Sequence, residues 1–496
     1  LPQLDLAREP AAVRVNVPFS GIVKNDRDNN RVTGDLKWSA EHEGYFLSSA
    51  FLRHVMATVV AEGLRQGVQP GAITIMYSFP RSFSDDQVRS LERQWNDVHQ
   101  TFVARGLGAV KVERGLDESR SVLRHFFNAA GVGMLGAGNV IIDVGGGTSD
   151  LAAYGEGRTL LLDSVLLGGK NLTGPRQQGA GREDLTNPFV RSFVEWAKAN
   201  DLPPAQREVL DKYIADGQIH LAFTYLVRTP WFASGQAARF WVGREFRAFQ
   251  AMVFYFFGAL FHYTGLAFRA LPPVEGSDAP RLPESITLAG NGSQYLHWLT
   301  NLQKGAPGDP YRQALSDILR AAAGAGEGPA VAIQVTEKPK EEVARGLVAP
   351  VVNASLNIDP LAAGPVVGEH LSVQLRTDGE VRQLQPATRL GPAETFSPDR
   401  LATLRWPDGE LEGERFHASL LRASERLVHL GGTWAELPDR YRSIFSGLAG
   451  VDLRNATSQK LEYRVNQSGG YRGSVFILEA TVVLERMLDR FFGGRP

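Results

Sequence analysis

Val140-Ile141-Ile142-Asp143-Val144-Gly145-Gly146-Gly147-Thr148-Ser149-Asp150-Leu151 is the stretch on which the fold turns. An apolar run ends in an acidic residue, three glycines, two hydroxyls and a second acidic residue. The run reads as a buried strand. Beyond it, glycines let backbone N–H groups approach phosphate oxygens with no Cβ in the way. Thr148 and Ser149 can donate hydrogen bonds to the same oxygens. Asp143, at the strand end, can organise the water shell of Mg2+, a hard cation that keeps several of its waters. A β-branched residue at Gly146 is expected to fill phosphate space and to forbid a positive φ. The plainer alternative is a glycine-rich turn joining two strands, since turns use Gly, Ser and Asp for their own reasons.

Working outward, Ala72–Tyr77 and Thr159–Val165 read as further buried strands, the latter after a turn at Tyr154–Gly157. Ile286–Ala289 is another strand running into glycine, and 330–336 is strand-like. Helical periodicity covers Phe46–Leu64, a helix capped by Ser84 through about Val103, most of 185–270, and 340–348. Residues 13–38 read as a hairpin around the polar stretch Asn25–Asn30. Strands alternating with helices argue for an α/β architecture. After about Pro350 the texture changes to turn pairs at Asp378-Gly379 and Asp408-Gly409, then helices over 413–431 and 474–492.

Composition narrows the function classes. The 496 residues suit two or three packed lobes. With 53 basic against 54 acidic residues the net charge is −1, which argues against a nucleic-acid-coating protein. Cysteine is absent, so thiol nucleophiles and Cys-ligated zinc are excluded. The chain opens without a basic n-region and apolar h-region, so no signal peptide is expected and a cytoplasmic setting is. One segment, Ala248–Phe268, is 21 residues long without a charge, enough to cross a bilayer. Its Gln250, Tyr255, His262, Tyr263 and Thr264 point instead to a buried helix, and no membrane span is expected.

The run DVGGGTSDLA resembles the second phosphate-binding motif of actin-like ATPases, the superfamily of actin, Hsp70 chaperones and bacterial actin homologues. Other segments resemble that family in its own order. AITIMYSFPRSFSDDQ is similar to the Hsp70 strand and loop before a capped helix. LDESRSVLRHFF is similar to the connecting helix, with Glu118 the acidic residue directed at the γ-phosphate, 25 residues before Asp143. LLGGKNLTG is similar to the paired-glycine segment, here Gly168 and Gly169. SITLAGNGSQYLHWL is similar to the adenosine motif, with Gly290, Asn291, Gly292 and Ser293. EEVARGLVA is similar to the second connecting helix, with Ala344 and Gly346 the small packing residues. The resemblance covers roughly residues 40–350.

It implies an α/β fold of two actin-like (ribonuclease H-like) lobes flanking an ATP cleft: 1–135 in the first, 136–350 in the second, and 351–496 as an extension. ATP and Mg2+ are the implied cofactors. Gly145, Gly146, Gly147, Thr148, Ser149 and Asp150 would cradle phosphate together with Gly169. Asp143 would hold Mg2+ through water, and Glu118 would orient the attacking water. Gly290–Ser293 would pass beneath the nucleoside. The family's first phosphate motif, Asp-x-Gly-Thr, does not occur before residue 143 and is expected upstream of Leu1. ATP hydrolysis coupled to lobe closure or assembly is the implied activity, with ATP/ADP as ligand and a protein partner or self-assembly through 351–496. A nucleotide-sensing scaffold without hydrolysis and a small-molecule kinase stay open.

Two weaker signals are set aside. Gly131–Gly136 matches GxGxxG, but a helix precedes it and a strand follows, the reverse of the dinucleotide order. Asn171-Leu172-Thr173 and Asn291-Gly292-Ser293 fit the glycosylation sequon, and inside these motifs they read as local hydrogen-bonding residues.

Overall fold

The computed structural model describes residues 22–33, 42–130, 138–174, 187–229, 244–299, 309–336, 341–349 and 362–492, with breaks of one to four residues inside several of these ranges. They form two compact units, Leu1–Phe79 with Phe83–Asp117, and Pro80–Ser82 with Glu118–Pro496. The helix beginning at Glu118 belongs to the second unit, where it buries Val122 and Leu123 against the sheet.

In the first unit, β1 (Ile22–Asp26) and β2 (Asn29–Thr33) form an antiparallel hairpin. Asn25 and Asp26 pair with Asn30 and Asn29, so the strands extend into the stretch assigned above to the turn. Residues 13–21 and 34–38 of that expected hairpin, and the Ser84 cap, lie outside the described residues. Helices α1 (His42–Arg65) and α2 (Asp85–Phe102) share a core with the parallel pair β3 (Thr74–Phe79) and β4 (Lys111–Asp117). Met56, Val60, Ile75, Trp95 and Val98 fill it, and the Tyr77 and Trp95 rings stack at 5.1 Å. Sequence reading missed β4. Its residues KVERGLD are mostly charged and, Asp117 aside, half or fully exposed, so neither alternation nor a β-branched run marks it.

The second unit is a mixed α/β layer structure. Its six-stranded sheet contains β5 (Asn139–Val144), β6 (Ser149–Gly155), β7 (Arg158–Val165), β8 (Ser285–Ala289), β9 (Ala332–Val335) and β10 (Ala362–Ala363). The order is β10-β7-β6-β5-β8-β9. β5, β6 and β7 form an antiparallel meander, whereas β8 and β9 continue from β5 in parallel. The two-residue turn from β6 to β7 uses Glu156 (φ 54°) and Gly157 (φ 73°), the left-handed pair that a tight hairpin favours. Alternation along β5 sorts its side chains. Val140, Ile142 and Val144 enter the main core, while Ile141 enters a smaller one with α3 (Glu118–Ala130) and α10 (Glu342–Val348). These two helices cross so closely that a Cβ on Gly346 would strike the Ser121 carbonyl oxygen, whereas Ala344, the other expected packing residue, is exposed.

The opposite face carries short α4 (Lys170–Thr173), then α5 (Pro188–Ala199), α6 (Pro204–Ala215), α7 (Ile219–Leu226), α8 (Arg244–Arg269) and α9 (Pro310–Ala323). α8 is the apolar segment. Phe246–Arg269 is long and apolar enough to cross a membrane, and its most apolar window is wholly buried inside the protein. Its four uncharged polar side chains between 248 and 268, and His262, each have a hydrogen-bond partner. Gln250 donates to Trp298 O (2.9 Å), Tyr263 to Asp163 Oδ2 (2.5 Å) and Thr264 to Leu260 O (2.8 Å). Tyr255 meets His417 (3.3 Å), and His262 meets Glu412 through Nε2 (3.0 Å), its buried Nδ1 having no partner among the described residues, so the expected core histidine is satisfied on one side of its ring. A helix surrounded on every side by protein is apolar all round for that reason.

Residues beyond 362 add the small pair β11 (Leu371–Val373) and β12 (Arg382–Leu384) and helices α11 (Glu412–Leu427), α12 (Leu437–Phe445), α13 (Val451–Ser468) and α14 (Val475–Phe492). α11 and α14 bury Phe416, Leu420, Phe476 and Val483 in the same core as α8. The C-terminal stretch thus completes the burial of α8. α12 and α13 escaped sequence reading; α13 has only a sparse apolar stripe with Leu453, Leu461 and Val465 buried.

Gly265 lies where α8 and α9 approach closely: a Cβ there would strike Leu319 O and lie 2.7 Å from the Ala322 Cβ. Gly265→Leu should therefore force the two helices apart and destabilise the second unit by about 2 kcal/mol or more. Urea denaturation followed by near-UV circular dichroism measures this; a midpoint equal to the parent's would contradict the packing.

Candidate functional site

The site is built where two neighbouring parallel strands end. β5 and β8 pair in register from Asn139↔Ser285 to Asp143↔Ala289, so Gly145 and Gly290 leave the sheet side by side. At β5 the sheet changes direction: the chain turns back through β6 on one side, and β8 lies on the other. A crevice outside the carboxyl ends of strands at such a switch point is where open α/β sheets take ligands.

Three glycine segments meet there. Gly145–Thr148 is a tight turn from β5 to β6, closed by Gly145 N–H to Thr148 O (2.8 Å). The second segment presses on it: Gly169 N–H donates to Gly145 O (2.9 Å) and Lys170 N–H to Gly146 O (2.7 Å). A Cβ on Gly168 would sit 2.7 Å from both Gly146 O and Thr148 N, so the approach requires glycine. The third segment, Gly290–Ser293, crosses the end of β5. Gly290 has φ 75°, and a Cβ there would collide with Asp143 Oδ1, leaving only glycine comfortable. Gly292 lies against Val144 O and Gly145 O, and Gly169 against the Gly292 Cα. Ser293 closes its own turn, N–H and Oγ both donating to Gly290 O (3.1 and 2.6 Å).

Gly146 differs from these. It is exposed and its φ is not positive, which corrects the expectation above. A Cβ there would meet nothing closer than the Lys170 stem at 3.7 Å. Among the described residues no backbone acceptor takes the Gly146 or Gly147 N–H. The protein does not need glycine at 146 for its own packing. A side chain there would enter open space beside a turn whose Gly146 and Gly147 N–H groups have no backbone acceptor among the described residues, an arrangement that suits an anion.

Acidic groups gather beside the turn. Asp143 and Asp150 are directly opposed across β5 and β6, with Asp143 half-buried and Asp150 buried. Asp150 holds Thr148 Oγ1 and Ser119 Oγ at 3.5 Å each, and Ser119 also donates to Asp163 O (2.9 Å). Ser119 therefore pins the first turn of α3 to the sheet, which brings half-buried Glu118 to the same end of it. Asp163 itself is buried, receives Tyr263 OH and Ser164 N–H (2.7 Å), and has its carboxyl pushed up by desolvation.

The structure thus brings together Gly145, Gly146, Gly147, Thr148, Gly169, Gly290, Asn291 and Gly292, with Asp143, Asp150 and Glu118 alongside. It does not bring Ser149. That side chain is fully buried, and its hydroxyl proton goes to Leu167 O (2.5 Å), because the residue after Thr148 falls on the other face of β6. Ser293 is likewise turned onto its own backbone. Asn171 is a local hydrogen-bonding residue, its Oδ1 accepting from Gly168 N–H (2.9 Å). GxGxxG at 131–136 lies outside the described residues, between α3 and β5.

Two residues were not singled out from sequence. Lys170 is exposed and carries its stem across Gly146. Tyr295 sets its ring edge near Gly169 and its OH against Thr173 Oγ1 (2.5 Å), and burial pushes its phenol up to about 12. Their positions, one after the paired glycines and three after Gly292, were the available signal.

No protein-family model matches the chain, and no curated protein matches it in sequence. Among solved structures it is similar to MreB5 of Spiroplasma citri bound to ADP, at 14% identity over 62% of this chain and 74% of that one, with a TM-score of 0.26. So loose a superposition carries no argument; the strand order and the glycine contacts do.

The two kinds of glycine separate by stability. Gly168→Ala should cost about 2 kcal/mol or more through its clash with backbone, while Gly146→Ala should shift the urea midpoint by no more than about 0.5 kcal/mol equivalent. Comparable losses in both variants would contradict the turn geometry.

Proposed function

We propose that the chain is an actin-like nucleotide-binding protein that takes Mg·ATP at the carboxyl ends of β5 and β8. The observation that carries this reading is the convergence of three glycine segments at a strand switch point, with the Gly146 and Gly147 amides available. In this reading the 145–148 turn receives phosphate oxygens on its backbone donors. Thr148 stands beside it, its hydroxyl oriented by Asp150. The Gly290–Ser293 turn, which only glycine allows to lie so near β5, gives a nucleoside a flat backbone surface to cross.

The donor set fits Mg2+ carried by phosphate and water. Asp143 and Asp150 face each other across two strands, where like charges repel unless a cation is near. Among the described residues no three acidic or His side chains are disposed to hold a metal as a cage. A magnesium ion bound by phosphates and one or two carboxylates needs no such cage. When bound, it supplies charge neutralisation for phosphoryl transfer.

Transfer to water then depends on positioning. Glu118 is the residue we assign to it: the Ser119 hydrogen bonds fix its helix end, and a half-buried carboxylate at that point can accept a proton from an attacking water.

Gly146→Val should abolish Mg·ATP binding in calorimetry without unfolding the protein; affinity equal to the parent's would refute the site. Glu118→Gln should leave affinity nearly unchanged and slow single-turnover hydrolysis about 10- to 1,000-fold. A parent with no turnover above buffer would remove the hydrolytic role and leave the binding one, which is the scaffold reading.

A further inference from the structure

We infer that Lys170 is the positive charge with which the glycine turn meets the phosphate chain, and hence the residue that makes the site select nucleotide over nucleoside. This deepens the nucleotide reading above and rests on it. The lysine is fixed to the turn by backbone: its own N–H donates to Gly146 O (2.7 Å), and its neighbour's to Gly145 O (2.9 Å). Its side chain does not extend away from that anchor. A methyl built on Gly146 would lie 3.7 Å from Lys170 Cε and 3.9 Å from Cγ, so the stem runs across the exposed side of Gly146. The ammonium, one bond beyond Cε, is therefore held near a turn whose Gly146 and Gly147 N–H groups have no backbone acceptor among the described residues.

Charge balance gives an independent reason. Over 143–150, 168–174 and 290–298, Lys170 is the only Lys or Arg, set against Asp143 and Asp150. Neutral amides orient a polyanion but do not offset the carboxylates beside it. A lysine serves phosphate as a mobile point charge, which suits a group whose oxygens move on transfer.

The test compares the full chain with Lys170→Met, which keeps the apolar stem over Gly146 and removes only the charge, and with Lys170→Arg. Calorimetry at low salt uses Mg·ATP, inorganic tripolyphosphate and adenosine as probes. The expected result for Lys170→Met is about 10- to 100-fold weaker Mg·ATP and tripolyphosphate binding, as for loss of a charge-assisted contact, with adenosine unchanged and a shallower dependence on salt. Lys170→Arg should restore most of the affinity. Should the Met variant melt earlier than the parent, Lys170→Gln is read in its place. Unchanged Mg·ATP affinity, or an equal loss for adenosine, overturns the assignment of Lys170 while leaving nucleotide binding intact. A parent that binds none of the three probes overturns both.

Discussion

The contact between the end of β5 and the start of the Gly290 turn is the constraint on which the rest depends. β5 and β8 can pair in full register only if the chain leaving β8 crosses the end of β5 without a side chain. Gly290 does this with a left-handed backbone against Asp143 and Val144, and Gly292 repeats the approach against Gly145. Gly168 then closes on the same turn from the other side. Three segments distant in sequence are held within backbone contact, and Gly146, with the Lys170 stem across it, is left exposed among them. Close packing of backbone requires glycine at three positions, while the fourth, Gly146, has no such packing role.

Behind this sits α8, whose burial draws in helices from the C-terminal stretch. A helix with Phe249, Phe254, Phe256, Phe257 and Phe261 needs protein on every side. The sheet covers one side, α9 another, and α11 and α14 the remainder. Its polar groups are distributed to match: Tyr263 reaches the sheet at Asp163, Gln250 reaches the chain after Gly292 at Trp298, and His262 and Tyr255 reach α11. The site and the C-terminal helices are therefore tied to one core. A mutation at the α8–α9 crossing should be felt at both.

Much of this was legible in the sequence because it rests on local pattern. Val140–Val144 and Ile286–Ala289 announced buried strands that end in glycine, and their adjacency followed from the requirement that both ends share one crevice. The helix at 248–268 was legible from its internal polar residues. What escaped was set by context. β4 is a charged strand whose position depends on β3, and Ser149 looked like a phosphate donor until strand parity turned it inward to Leu167. Gly146 looked like a glycine demanded by backbone strain, yet its φ is ordinary, and the strained position is Gly290. Lys170 and Tyr295 needed the folded turn, because neither residue type at its sequence position signals a ligand by itself.

Hydrogen–deuterium exchange over 139–150 and 285–298, with and without Mg·ATP, tests the central claim most directly. The account predicts slower exchange at Gly146, Gly147 and Thr148 and at Gly290–Ser293, with adenosine alone protecting only the second group. Unchanged exchange in both segments under saturating nucleotide, or protection confined to other parts of the chain, would contradict it.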